Sequence, residues 1–307
     1  MNALLRRLAF TVPTLLVLSF LVFMLLELTP GSATSAVLDD AASSAADAQI
    51  CAEVRCDQPL LARYSGYLGD LLQGDFGVSI RSGRDVRDEL MLRLPHTLIL
   101  TAGSISTALL IGGAVGVIAA LRRGTWLDST LTALASVSAS LPTFWVALLL
   151  TGVFAVQLGW LPVFGSGSAA HYILPIVSVA LALIPGIAVI VRSSLLDTQQ
   201  QMFVATAQSK GLSAQRIFWR HVSPIAAIPV VTYVGLQAVH LVGSLVTIEV
   251  LFNLPGLGGL AVQAALDRDP LLLQGAALMI AAMTLGVLLL VDMIVFLLDP
   301  RITQPVS

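Results

Sequence analysis

Five long stretches of this 307-residue chain contain no Asp, Glu, Lys or Arg: residues 8 to 26, 94 to 121, 129 to 191, 221 to 248 and 270 to 291. A charge at the centre of a bilayer costs about 2.5 to 3.5 kcal/mol even on a lenient scale, so such gaps mark crossings. About 20 residues rising about 1.5 Å apiece match a hydrocarbon core of roughly 30 Å. The stretch from 129 to 191 is too long for one crossing, and Gly159, Pro162, Gly165 and Gly167 punctuate its middle, so it reads as two. Six crossings follow, near 8 to 28, 97 to 121, 129 to 156, 173 to 191, 225 to 248 and 275 to 297, in an all-α membrane protein. Composition agrees: 57% of residues are hydrophobic and 11% charged, against roughly 25% charged in ordinary globular chains.

Several function classes fall away on the same residues. Sixteen basic and eighteen acidic side chains give a formal charge of -2, so no basic surplus exists to neutralise a nucleic-acid backbone. Lys210 is the single lysine, and nothing around it resembles a P-loop, so any ATP must be handled elsewhere. Two cysteines and four histidines without an H-E-x-x-H pattern supply no zinc site. A metalloenzyme would therefore lack its ligands, and no metal or cofactor of the chain's own is expected.

The positive-inside rule sets the orientation. Arg6, Arg7, Arg122, Arg123, Arg192, Lys210, Arg216, Arg220 and Arg301 fall on one side, while the short loop 157 to 172 has no Lys or Arg and 249 to 274 has only Arg268. Both termini are then cytoplasmic, in a multi-pass plasma-membrane protein. The organisation is an N-terminus and first helix (1–28), an extracytoplasmic segment (29–96) and a five-helix core (97–307) with a cytoplasmic loop at 192–224. Arg6, Arg7 and small residues near Ala33 to Ala36 also resemble a signal peptide, but a charge-free run of 19 residues exceeds the usual apolar region of about 7 to 15.

The loop 192–224 reads as helix, break, helix. Ala205, Thr206, Ala207 and Gln208 propagate a helix, Gly211 can end it in the left-handed conformation, and Ser213 is placed to cap the next. Pro224 and Pro229 argue against a continuous helix onward into the membrane. Ile217, Phe218 and Trp219 beside Arg216, Arg220 and His221 make a surface suited either to a protein partner or to the membrane interface.

These residues carry a family resemblance. Thr206-Ala207-Gln208-Ser209-Lys210-Gly211-Leu212, Arg220-His221-Val222-Ser223 and Ile228-Pro229-Val230-Val231-Thr232 resemble the EAA loop of permease subunits of ATP-binding-cassette importers, in the dipeptide, oligopeptide and nickel branch. Tyr67-Leu68-Gly69-Asp70-Leu71-Leu72-Gln73-Gly74-Asp75-Phe76-Gly77-Val78-Ser79 is similar to that branch's LxxLLxGDxGxS stretch, and Arg93-Leu94-Pro95-His96-Thr97-Leu98 to its RLPxTL. Glu249-Val250-Leu251-Phe252-Asn253-Leu254-Pro255-Gly256-Leu257-Gly258 with Arg268-Asp269 matches ExxFxxPGLG…RD, and Asp299-Pro300-Arg301 the closing DPR. The glutamate that names the EAA segment is Ala205 here, and an asparagine expected four residues before Asp292 is Leu288.

The resemblance implies a type I importer permease, half of a translocation path completed by a second homologous permease. Two cytoplasmic ATPases and an extracytoplasmic binding protein complete the implied set, with di- or oligopeptides as cargo and nickel, haem or another small solute left open. It makes Ala205, Thr206, Ala207, Lys210, Gly211, Leu212, Ser213, Phe218, Arg220 and His221 the coupling surface for the ATPase. The segment 249–269 reads as irregular backbone, either a gate or binding-protein contact built on Phe252, Asn253, Pro255, Gly256, Gly258, Arg268 and Asp269, or an exposed turn.

Within the spans, Gly112 and Gly116 form a small-xxx-small packing face, and Pro142 and Pro185-Gly186 should kink their helices. His240 reads as a structural histidine, and Asp292 as a buried charge near the cytoplasmic end of the last span. A secondary transporter would carry more intramembrane acids or histidines than Asp292 and His240. An intramembrane hydrolase has as its best feature Gly165-Ser166-Gly167-Ser168 with His171, which no nucleophile motif resembles in order.

Cys51 and Cys56 lie in the expected extracytoplasmic segment. They are either two thiols or a local disulfide, which in so short a loop contributes roughly 2 kcal/mol. If bridged, both resist alkylation in the intact protein until reduced and then take two labels; labelling of both without reductant shows that no bridge exists.

Overall fold

The computed structural model describes residues 2–28, 58–139 and 141–298. Cys51, Cys56 and the closing Asp299-Pro300-Arg301 lie outside them. The described residues are helices and turns, with one isolated antiparallel bridge between Val78 and Asp85. In order they are α1 (Asn2–Leu28), α2 (Leu60–Leu72), α3 (Val86–Leu121), α4 (Trp126–Ala139) and α5 (Thr143–Leu150), which continues as a π-helical turn (Thr151–Gln157). Then come α6 (Ala170–Gln199), α7 (Met202–Ser209), α8 (Ala214–Ile217) with a second π turn (Phe218–Val222), α9 (Ser223–Leu251), α10 (Leu257–Leu266) and α11 (Pro270–Leu298).

Among the described residues, four helical runs are long and apolar enough to cross a bilayer: α3, α6, the run Ala214–Leu251 and α11. The expected crossings at 8 to 28 and 129 to 156 meet shorter apolar stretches, Thr11–Met24 and Thr143–Gln157. The second is short because Pro142 breaks its helix instead of kinking it: α4 ends at Ala139, and Pro142 stands before α5 with ψ at 132°. The opposite correction applies to Pro224 and Pro229, since the chain stays helical from Ala214 to Leu251. Pro224 occupies the first turn of α9, where its missing N–H costs least. The wider π turn before it carries the register change, with both the N–H and, at 2.9 Å, the hydroxyl of Ser223 donating to the Phe218 carbonyl.

The described residues form two compact units, with boundaries inside α3 and α11. In the first (2–7, 98–254, 284–298), α6 packs against α4, α5 and α9. Val179, Leu183 and Ile187 of α6 share a core with Leu241, Leu245 and Ile248 of α9. On α3, Ser104, Ala108, Gly112, Gly116 and Ala120 recur every four residues, all buried. This lets α3 reach the α6 backbone: a methyl at Gly116 would stand 2.6 Å from the Ala188 carbonyl oxygen, and one at Gly112 2.9 Å from that of Ile184. The small-residue face expected from two glycines is thus five positions long. Pro185-Gly186 stays within α6, and a side chain at Gly186 would overlap the Tyr233 hydroxyl.

One ion pair fastens this unit. Arg192 donates from Nε to Asp128 Oδ1 at 2.6 Å and from a terminal nitrogen to Oδ2 at 2.7 Å, while the Gly124 N–H adds a third bond to Oδ2 at 3.1 Å. Asp128 lies in the first turn of α4 and is 5% exposed. Asp128 and Arg192 are the charges bracketing the uncharged stretch 129 to 191, so their contact brings both ends of that stretch together.

The second unit (8–28, 58–97, 255–283) has its core in Val86, Leu90, Leu257, Leu260, Ala264, Leu272 and Ala276. Gly275 is where α11 meets α3, since a methyl there would stand 2.8 Å from Val86. α2 packs on the middle of the expected first crossing: the Tyr64 hydroxyl lies 2.9 Å from that of Ser19 and 3.1 Å from the Leu16 carbonyl, and Phe20 meets the Tyr64 ring edge-on at 5.1 Å.

The Asp128 carboxyl is held below the usual carboxylate range, first by the Arg192 hydrogen bond and then by the Gly124 N–H. A depressed folded-state pKa contributes stability above the unfolded value, lost as pH falls through the folded one. Asp128→Asn should therefore lower Tm in detergent by an amount constant above about pH 4 and shrinking below it. A double variant with Arg192→Gln should lose no more than the worse single one; additive losses would show the pair to be uncoupled.

Candidate functional site

Four helices end in the same way, and all four ends fall in the motifs read from the sequence. α7 finishes with Gly211 at φ 75°: the Gly211 N–H donates to the Gln208 carbonyl at 2.9 Å and the Leu212 N–H to that of Ala207 at 3.3 Å. Those paired bonds are a Schellman motif, which satisfies the last carbonyls of a helix and turns the chain away. α2 ends likewise at Gly74 (φ 79°), α9 at Asn253 (φ 49°) and α10 at Arg268 (φ 54°). The last two adopt the left-handed conformation without being glycine.

In the loop 192–224 the stop at Gly211 folds α7 and α8 against the first unit. Val204, Ala207, Ile217 and Val222 are buried in its core, with Leu212 and Phe218 packed beside them. Ala205, Thr206, Lys210, Gly211, Ser213 and Arg220 are exposed, and His221 is half-buried. The ten expected coupling residues thus divide into an outward set and an anchoring set. Ser213 stands at the start of α8, yet its side chain makes no capping bond there, contrary to the reading of it as a cap. Trp219 is 67% exposed and packs edge-on to Phe218 at 5.1 Å. Beneath it runs a groove of about 550 Å³ lined by Leu121, Val204, Gln208, Ile217, Phe218 and Trp219, among others. Arg192, one of the four Lys and Arg residues of this loop, is engaged by Asp128.

The segment 249–269 is not irregular throughout: α10 occupies Leu257–Leu266, because Leu257, Leu260 and Ala264 recur on one buried face despite the glycines. In the first unit, Phe252 is 2% exposed and its carbonyl accepts the Gly165 N–H at 3.0 Å, while Asn253 is exposed. In the second unit, Pro255 is half-buried, Gly256 and Gly258 are buried, and Arg268 is exposed. The Leu257 N–H at the start of α10 donates to the buried Thr97 hydroxyl at 2.9 Å, a cap supplied from α3.

Asp269 is 1% exposed and precedes Pro270, the first residue of α11. Its Oδ1 accepts the Leu272 N–H at 3.1 Å as a helix cap, and its Oδ2 accepts the Ser79 hydroxyl at 2.5 Å and the Arg81 N–H at 3.3 Å. Two motif segments 190 residues apart in sequence are therefore joined at one carboxylate. Sequence reasoning missed Thr97, Ser79 and Asp128 as partners, although each lies within or beside a segment it singled out. Asp292 is half-buried near the end of α11 and engaged by other groups, and His240 is exposed on α9 instead of packed within the chain. Ser168 and His171 do meet, but both the hydroxyl at 2.9 Å and the Ser168 N–H at 3.1 Å converge on the same ring nitrogen, Nδ1, closing a turn at the start of α6.

Residues 112–304 match the model of the binding-protein-dependent transport system inner membrane component family. The chain belongs to this family. It is 38% identical over 306 residues to the glutathione transport system permease protein GsiC of Salmonella choleraesuis (strain SC-B67), covering 98% of this chain and 99% of that one. It is 37% identical over the same shares to GsiC of Escherichia coli (strain K12). Inward-facing structures of the MetNI methionine ABC transporter share the fold: one has a TM-score of 0.57 at 20% identity, over 69% of this chain and 96% of that one, and another a TM-score of 0.58 over 68% and 96%. The chain is thus an integral inner-membrane permease component of an ABC importer.

Positive φ at Gly211 gives a ranked expectation. Gly211→Val should destabilise the loop by about 1–2 kcal/mol, the left-handed penalty for a residue with Cβ, and Gly211→Asn by less. Thermal unfolding in detergent, with proteolysis between Gln199 and Ala214 as the local probe, checks the order; equal stability of the two variants would contradict it.

Proposed function

We propose that this permease imports short peptides, with glutathione-sized molecules as the leading cargo. The observation that carries the reading is near end-to-end similarity, at 37–38% identity, to proteins named as glutathione transport permeases. Six helices cross the membrane with both termini cytoplasmic: the four long apolar runs, the first helix, and the Thr143–Gln157 stretch together with α4. The chain forms half of the path, opposite a second homologous permease. An extracytoplasmic binding protein delivers the cargo, and two cytoplasmic ATPases hold ATP and Mg²⁺.

In this reading α7 and α8 form the coupling element. Exposed Ala205, Thr206, Lys210, Ser213 and Arg220 meet the ATPase, with Trp219 flanking them, while Ala207, Leu212 and Phe218 tie that surface to the core. The Schellman stop at Gly211 fixes the angle between the two helices, so a push on the exposed face is delivered to α6 and α9 instead of being absorbed by bending. In the first unit the exposed Asn253 beside the buried Phe252, and in the second unit the exposed Arg268 beside the buried Asp269, are the candidates for the gate or binding-protein contact. Cys51 and Cys56 lie in the extracytoplasmic segment.

The assembled transporter, reconstituted with its ATPases, second permease and binding protein, should take up labelled glutathione or short peptides only with ATP and binding protein present. Uptake confined to nickel ions or haem would overturn the cargo. Uptake with the ATPases omitted would overturn the coupling.

A further inference from the structure

Every polar side chain of α9 between Tyr233 and Thr247 falls on one stripe: Tyr233, Gln237, His240, Ser244 and Thr247. Spacings of four, three, four and three residues hold them within about 80° of one another on a helix of 3.6 residues per turn. The stripe runs beside the buried face of α9, where Val234, Ala238, Leu241, Leu245 and Ile248 join the core. Tyr233, Gln237 and Ser244 are half-buried, and His240 and Thr247 are exposed. It begins in a built contact: the Tyr233 ring rests on Gly186 of α6, and its hydroxyl accepts the Gln237 Nε2 hydrogen at 2.7 Å.

The stripe lies inside a helical run that is apolar enough to cross the membrane. Hydrocarbon offers no partner to an amide or an imidazole, so such groups face the bundle interior or a water-filled cavity; the Thr247 hydroxyl also has one within its own helix, the Gly243 carbonyl at 3.3 Å. Val239, exposed, and Val246, half-buried, lie on an arc about 80° or more beyond the stripe's edge and have the character of a lipid-facing or protein-facing surface that the stripe lacks. From Tyr233 to Thr247 the stripe rises about 21 Å, some two-thirds of a hydrocarbon core of roughly 30 Å.

We propose that this stripe is the wall that α9 presents to the solute path, and that the cargo it suits is a polar organic molecule without large net charge, passed along by exchange of hydrogen bonds. This rests on the permease reading and deepens it. Residues 221 to 248 contain no Asp, Glu, Lys or Arg, so nothing on the stripe fixes a formal charge strongly enough to trap an ion. Hydroxyl, amide and imidazole groups both donate and accept, which matches the mixed polarity of a short peptide. Several weak sites in series also suit passage, since a solute must bind well enough to enter and loosely enough to leave. A single imidazole with no carboxylate or thiolate beside it on the stripe is a poor ligand set for a bare divalent metal ion.

Single cysteines in place of Gln237, His240, Ser244 and Thr247 test the assignment, with Val239→Cys and Val246→Cys as controls. They are made in the full transporter carrying Cys51→Ser and Cys56→Ser, and the probe is a positively charged, membrane-impermeant methanethiosulfonate. The thiolate is the reacting form, and desolvation by a single pKa unit slows it about tenfold. The stripe positions should therefore react at least about tenfold faster than the controls, and their rates should change when the ATPases are trapped with nucleotide. Stripe positions no more reactive than the controls in either state would overturn the proposal and place the stripe against protein. ATP-driven peptide uptake by the same serine background reports the permease reading separately, so a failure of the path assignment is distinguishable from a failure of the function.

Discussion

A helix that ends in or beside a membrane leaves four carbonyls without intrahelical partners, and hydrocarbon supplies none. The way this chain meets that demand shapes the rest of its structure. Four helices, α2, α7, α9 and α10, close their carbonyls with paired bonds around one left-handed residue, at Gly74, Gly211, Asn253 and Arg268. Starts of helices are treated with equal economy: Asp269 caps α11, and Thr97 of α3 caps α10 from outside its own segment. Each device turns the chain sharply while leaving little backbone unsatisfied. Short helices such as α7, α8 and α10 can therefore lie between long ones.

Much of what identifies the family in the sequence is this stop-and-start machinery. The GDFGVS stretch supplies the hydroxyl of Ser79, and the RD pair supplies both the left-handed stop at Arg268 and the carboxylate of Asp269 that binds it. Buried carboxylates of this kind are worth keeping because removing one partner strands the other in a desolvated place. Motif residues exposed to another molecule lie on the outward faces: Ala205, Thr206, Lys210, Gly211, Ser213 and Arg220 on the α7–α8 loop with Trp219 beside them, Asn253 after α9, and Arg268 beside the clamp.

The long apolar helices were legible because the cost of a charge in hydrocarbon is large and local, so gaps between charges trace them. Gly211 was legible because only a few residue types tolerate its conformation. Other features depended on groups distant in sequence and left no local mark. Nothing near Asp128 announces Arg192, and nothing near Thr97 announces Leu257. The π turn at Phe218–Val222 has no propensity signal, so Pro224 and Pro229 looked like breaks when the chain had a way to remain helical. α10 was hidden by glycines whose effect was outweighed by the burial of Leu257, Leu260 and Ala264. The polar stripe on α9 was readable from its period but went unnoticed while His240 was considered alone.

Asp128 and Arg192 stand 64 positions apart with no charge between them. During synthesis at about 5–20 residues per second, the carboxylate emerges several seconds ahead of the guanidinium that will hold it. Its partner can come within reach only when the intervening uncharged chain has folded back on itself. The pair is thus a latch whose closing depends on the history of the chain as well as its sequence. A hairpin left half-formed would keep the two charges apart, and the bidentate bond would have no geometry in which to form.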